Sequence, residues 1–159
     1  GLISDETVFL RPTPDTTITM PGNTGAPITV GAYNHLNNSI YIHSSRGYIS
    51  RDSVKPDLAA PGVDVLGPAN TSVHSGIPEN TQTFTHRTGT SAAAAITAGA
   101  VANLLNWGIV MGNYPTMSEA SIKSYLIRGA SRNPSLSYPN REFGYGTLDL
   151  LQTFLKLRE

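Results

Sequence analysis

Gly89-Thr90-Ser91-Ala92-Ala93-Ala94-Ala95 is the stretch on which the reading of this chain turns. A serine set between a Gly-Thr turn and an alanine run with high helix propensity stands at a helix N-terminus. Its backbone N–H is one of the donors that the first turn leaves unpaired, and the helix dipole favours an anion beside it. A nucleophilic serine needs this setting, because its hydroxyl must attack a carbonyl and the resulting oxyanion must then be held. A plain Ser N-cap would use the same three residues, so the segment alone leaves both roles open.

Working outward, the helix is predicted from Ser91 to about Trp107, with Gly108 as a C′ glycine that closes it. Ala94, Ala98 and Ala102 recur at helical spacing with Gly99 beside them, a stripe that lets backbone approach closely. Charge is absent from it, which predicts burial on nearly all sides. Downstream, Thr116-Met117-Ser118-Glu119 fits a capping box for a helix running to about Arg128 and stopped by Gly129. Asp149 fits the cap of a last helix carrying Leu150, Leu151, Phe154 and Leu155. Upstream, residues 7–10 and 16–20 are rich in β-forming types, 28–32 and 40–42 read as short strands, and 57–65 is a small apolar segment stopped by Pro61-Gly62. Residues 67–87 read as mostly loop with short strands. The expected fold class is α/β with an incomplete sheet.

The bulk properties exclude several classes. The 159 residues are 39% hydrophobic and 14% charged, with zero formal net charge. That is a globular composition with no electrostatic footprint for nucleic acid or an anionic membrane. The unbroken apolar runs are only a few residues long, which predicts no membrane span. There is no cysteine, so disulfides, thiolate metal sites and cysteine nucleophiles are out. Gly1-Leu2-Ile3-Ser4-Asp5-Glu6 has neither a basic n-region nor an apolar h-region, and reads as the middle of a longer chain.

Gly89-Thr90-Ser91-Ala92-Ala93 resembles the subtilase nucleophile motif Gly-Thr-Ser-x-Ala, and Thr97-Ala98-Gly99-Ala100-Val101-Ala102 continues it as that family's long helix does. Ser44-Ser45-Arg46-Gly47 and Lys55-Pro56-Asp57-Leu58-Ala59-Ala60-Pro61-Gly62 resemble its second signature, and Ile28-Thr29-Val30-Gly31-Ala32 its preceding buried strand. These segments stand in the family's order and at its spacing across roughly residues 16–155. Trp107-Gly108-Ile109-Val110, Tyr138-Pro139-Asn140-Arg141 and Gly144–Leu150 resemble a narrower group, the subtilases of clostridia and related gut bacteria, including germination proteases. The resemblance implies a subtilisin-like parallel sheet with packed helices. Residues 16–159 would be the C-terminal portion of the catalytic domain, and residues 1–15 the return from an inserted β-rich region. Two departures stand out: Ala95 where the family usually has Pro, and Ile96 where it often has His. Alanine suits a first helical turn as well as proline does, so this reads as a subgroup trait. His43, where Phe is common, is given a structural role.

The resemblance implies a serine endopeptidase acting through an acyl-enzyme on Ser91. It also implies an oxyanion contact from the Ser91 backbone, with a weak one from Thr90. Thr19, Met20, Pro21 and Gly22 match the base of the pocket for the acyl-side substrate side chain. Thr19 stands where glycine is common, which implies a shallower pocket. The rest of the triad is absent by motif. The family's order is Asp, His, Ser, its histidine heads His-Gly-Thr, and its aspartate precedes Ser or Thr and then Gly. His35, His43, His74 and His86 are followed by Leu, Ser, Ser and Arg, and no aspartate fits. His86 is too near Ser91 on one tight loop to serve as its base. The asparagine that completes the oxyanion hole belongs upstream, and Asn23 lies past the matching turn.

The chain is therefore expected to be inactive alone, a fragment lacking its catalytic Asp and His. The alternative is a pseudoprotease, a scaffold or signalling partner on the same fold. The implied partners are a peptide or protein substrate and the missing N-terminal part of the same protein, with homo-oligomers of the fragment as a further expectation. No nucleic acid and no membrane are expected. The chemistry requires no cofactor. Calcium is common in the family and is an allowed ion in the parent, but no dense acidic loop is present and Asp57 and Asp64 read as structural. Location is expected to be extracellular, cell-envelope or spore-associated rather than cytoplasmic.

Overall fold

The computed structural model describes residues 11–48, 53–69 and 84–158. β1 (Val30–Asn34) is the middle strand of a three-stranded sheet. It runs parallel to β3 (Leu58–Pro61), with Val30 opposite Leu58, and antiparallel to the two-residue β2 (Ser39–Ile40). β4 (Val65–Pro68) and β5 (Phe84–Arg87) form a separate antiparallel ribbon with Leu66 opposite His86. α1 (Thr90–Leu105) packs on β1 and β3 and continues as a π-helical turn, Asn106–Val110. α2 (Glu119–Gly129) packs against α3 (Leu150–Lys156). This is the incomplete α/β sheet that the sequence predicts.

Two cores hold it. Leu58, Leu104, Met117, Ile122 and Leu126 form the larger, joining β3, α1 and α2. Ala32, Ala60 and Ala93, all fully buried, form the smaller where the start of α1 meets the sheet. Three alanines at one junction bring helix backbone close to strand backbone. Asp149 caps α3 as expected, accepting a hydrogen bond from the Gln152 amide at 2.9 Å.

Several expectations are corrected. Residues 16–20 form no strand. Thr17 donates its amide to Arg46 O and accepts the Arg46 amide on its hydroxyl, which itself donates to Pro14 O at 2.7 Å, so the contact is an isolated one and no ladder extends from it. The strand expected at 28–32 begins at Val30, because the Thr29 amide donates to the Asp57 side chain at 2.7 Å. Gly108 does not end α1. It is buried against Met117 inside the π-helical turn, where the Met111 amide reaches back five residues to Asn106 O. Ser118, not Thr116, caps α2, in a reciprocal box with Ser121. Met117 is drawn into the larger core, which sets the N-cap one residue after it. Residues 7–10 lie outside the described residues.

The largest correction concerns α1. Ala93, Thr97, Ala100 and Leu104 are buried, but Ala94, Ala95, Ala98, Gly99, Ala102 and Asn103 are exposed. The small-residue stripe faces outward. With its extension the helix spans Thr90–Val110, 21 residues, long and apolar enough by composition to cross a membrane. Thr, Gly and Asn break the apolar run in sequence but not the helix. The packing on β1 and β3 is that of a helix laid on a sheet.

Candidate active site

The turn that presents Ser91 is fixed by the end of β3. The Gly89 amide donates to Gly62 O at 2.7 Å, and the Asp64 amide donates to Thr88 Oγ1 at 2.9 Å. A Cβ at Gly62 would lie 2.6 Å from Ala32 Cβ and 3.0 Å from Gly89 O, so only glycine lets the two turns meet. Gly89 itself has φ 151°, a backbone region that side-chain-bearing residues rarely adopt. The Pro-Gly that ends β3 thus also docks the serine turn.

Gly89 is the N-cap of α1 and, having no side chain, makes no side-chain cap. Its carbonyl accepts from the Ala92 amide at 3.1 Å. The Thr90 and Ser91 amides are first-turn donors with no partner one turn back in the helix. Ser91 is exposed, and among the described residues its hydroxyl has no hydrogen-bonded partner. The arrangement offers a solvent-facing nucleophile beside free N–H donors and the positive end of a 16-residue helix.

Beside it lies a cavity of about 250 Å³. Thr19, Met20, Pro21 and Gly22 line it, and so does Thr90, which puts the pocket residues and the serine turn in one place. Ile18, Thr29, Val30, Ser44, Ser45 and Pro56 complete the lining, and none of the lining residues is charged. The sequence reading did not place Thr29, Ser44, Ser45 or Pro56 in the pocket. The Ser-Ser-x-Gly and Lys-Pro-Asp signatures were the signal, since their polar and rigid residues surround the cavity. Ser44 is buried, and its hydroxyl accepts from the Ala32 amide at 3.0 Å, tying the pocket wall to β1.

The histidines are scattered. His35 is exposed after β1, and His43 is exposed with its ring edge-on to Tyr41 at 5.3 Å. His86 sits on β5 with Nδ1 3.0 Å from Asp64 Oδ1. Both side chains of that pair are more than half exposed, so the contact is weak. His74 lies outside the described residues. Asn23 donates its amide to Thr19 O and does not line the cavity. Among the described residues no group of three or more His, Asp or Glu side chains could hold a metal ion.

Behind the pocket Lys55 and Asp57 form an ion pair at 2.7 Å with both side chains almost fully buried. Burial holds the Lys55 ammonium below the usual lysine range, against the opposing pull of Asp57. A second cavity of about 260 Å³, lined by residues that include Tyr33, Arg132, Tyr138 and Phe143, shares no residue with the first. Burial, and secondarily the charge of Asp149, raises the Tyr33 phenol above its usual range.

Comparison with known proteins bears on this geometry. The sequence profile of the subtilase family matches residues 10–146. The CspB protease of Clostridium perfringens superimposes with a TM-score of 0.83 at 37% identity, over 96% of this chain and 31% of that one. Fervidolysin from Fervidobacterium pennivorans, a keratinolytic enzyme related to subtilisin, matches at TM-score 0.64 and 27% identity, over 86% of this chain and 20% of that one. The prenylagaramide maturation protease PagA shares the fold at TM-score 0.66 and 23% identity, over 91% of this chain and 47% of that one. The chain thus spans between a fifth and a half of the length of these proteins.

Proposed function

Because this chain belongs to the subtilase family, we propose that its parent protein is a serine endopeptidase in which Ser91 carries the acyl-enzyme. The observation that supports this is the exposed serine at an uncapped helix start, sharing its turn with a substrate-sized cavity. Ser91 Oγ attacks the scissile carbonyl. The developing oxyanion is received by the Ser91 N–H and the α1 dipole, with a weak contact from the Thr90 hydroxyl. The acyl-side substrate side chain enters the cavity behind Thr19–Gly22. With no charged residue in its lining, that cavity favours an uncharged side chain. The base and its orienting acid come from upstream, as a His-Gly-Thr helix and an Asp-Ser/Thr-Gly turn. So does the side-chain half of the oxyanion hole. The same N-terminal part covers the exposed face of α1. Without it, the isolated chain is inactive and hides that face by self-association, which light scattering detects.

The test is active-site labelling and turnover. In the complete parent, Ser91→Ala should reduce kcat on the order of 10⁶-fold, the value known for this triad in subtilisin. His86→Ala should cost far less. A fluorophosphonate should label this chain slowly when it is alone and rapidly when it is co-expressed with its native N-terminal part. Rapid, stoichiometric labelling of Ser91 in the chain alone would place a base within these residues and overturn the reading.

A further inference from the structure

One buried charge cluster behind the pocket has no part in the chemistry above. Asp57 Oδ2 accepts from Lys55 Nζ and from the Thr29 amide, both at 2.7 Å. Asp57 Oδ1 lies 3.0 Å from Lys123 Nζ. The Lys55 ammonium also donates to Pro27 O at 2.8 Å, and the Lys123 ammonium donates to Gly25 O at 2.9 Å and to Pro27 O at 3.2 Å. One carboxylate balances one ammonium. The second is a surplus charge brought in from α2, and a surplus charge near the interior is retained only where strong acceptors meet it. Here the acceptors are backbone carbonyls of the 22–29 loop. The two ends of that loop meet at the pocket, where the Thr29 hydroxyl donates to Gly22 O at 2.6 Å and both residues line the cavity.

We propose that Lys123 is a positioning residue. Its ammonium, acting through Gly25, Pro27 and Asp57, clamps the 22–29 loop from behind and sets how tightly the pocket holds the acyl-side substrate side chain. Charge-assisted hydrogen bonds are strong and directional enough for this, and a wall left without such support is displaced at a cost in binding. The proposal rests on the protease reading for its substrate, but the clamp itself does not.

The test uses Lys123→Met, which keeps the methylenes and removes the ammonium. In the complete parent, KM for peptides with a large uncharged acyl-side residue should rise about tenfold with kcat little changed, the size expected for losing a hydrogen-bonded charge. Peptides with glycine at that position should be unaffected. In Lys123→Ala, added propylammonium should restore KM, because Lys123 is partly exposed and the vacated oxygen cage can be refilled. A uniform loss of active sites across all peptides, with KM unchanged and no rescue, would mean a merely structural lysine and overturn the proposal. In this chain alone, amide exchange at Thr29 should accelerate about tenfold in Lys123→Met. Unchanged exchange overturns the clamp whether or not the parent cleaves peptides. Accelerated exchange in a parent that cleaves nothing overturns the protease reading alone.

Discussion

The two faces of α1 have almost the same composition and opposite fates. The inner face places Ala93 against Ala32 and Ala60, and Leu104 against Leu58. The outer face presents Ala94, Ala98 and Ala102 to solvent in this chain. Neither carries charge, so hydropathy cannot tell which face has a partner. The inner face is buried because two parallel strands lie beneath it. The same contrast appears at the helix starts. α2 begins with a reciprocal Ser118–Ser121 box and α3 with an Asp149 cap, whereas α1 begins with a glycine that caps nothing. In the two capped helices a side chain takes the third amide, at Ser121 and Gln152. In α1 the Gly89 carbonyl takes it, at Ala92, so no side chain stands over the first amides of the helix that carries Ser91.

Substitutions can break or sharpen this contrast. Leu104→Ala on the inner face should destabilise the chain by about 2–5 kcal/mol, since it empties a fully buried site in the larger core. Denaturant unfolding with an unchanged m-value checks it. Ala93→Leu should cost about 1–3 kcal/mol by overpacking the alanine junction. It should also displace the Ser91 turn, so in the parent it should slow fluorophosphonate labelling as well as lower Tm. Ser118→Ala removes the α2 cap and should cost about 1 kcal/mol. No substitution at Gly89 can be expected to add an equivalent cap, because its φ excludes side-chain-bearing residues. Ala98→Gln on the outer face should change the stability of the isolated chain, measured at dilutions where it is monomeric, by no more than about 0.5 kcal/mol. In the parent, where the proposed N-terminal part covers that face, the same change should be overpacking and cost about 1–3 kcal/mol. Equal effects in the two contexts would mean that nothing covers the stripe.

The sequence by itself determined where the serine turn, the second signature and the caps of α2 and α3 fall, to within a residue or two. Those features are local. A Gly-Thr-Ser before an alanine run, a Pro-Gly after a small apolar strand and an Asp or Ser before a helical pattern act on neighbouring backbone, and the backbone's permitted angles leave few alternatives. The family resemblance pointed to Thr90 and residues 19–22, and one cavity is lined by them. Only the tertiary structure decided the rest. Residues 16–20 have strand-forming side chains but, among the described residues, no strand to pair with. Gly108 looks like a helix stop, yet Met117 packs on it from a later part of the chain and the helix runs on. Thr29, Ser44, Ser45 and Pro56 reach the pocket because β1 and β3 lie side by side, a pairing that no local pattern encodes. Lys123 meets Gly25 and Asp57 across a gap in sequence that only the packing of α2 closes. Burial and long-range pairing depend on which surfaces meet. A one-dimensional pattern specifies that a surface is apolar or charged, and the fold specifies what it faces.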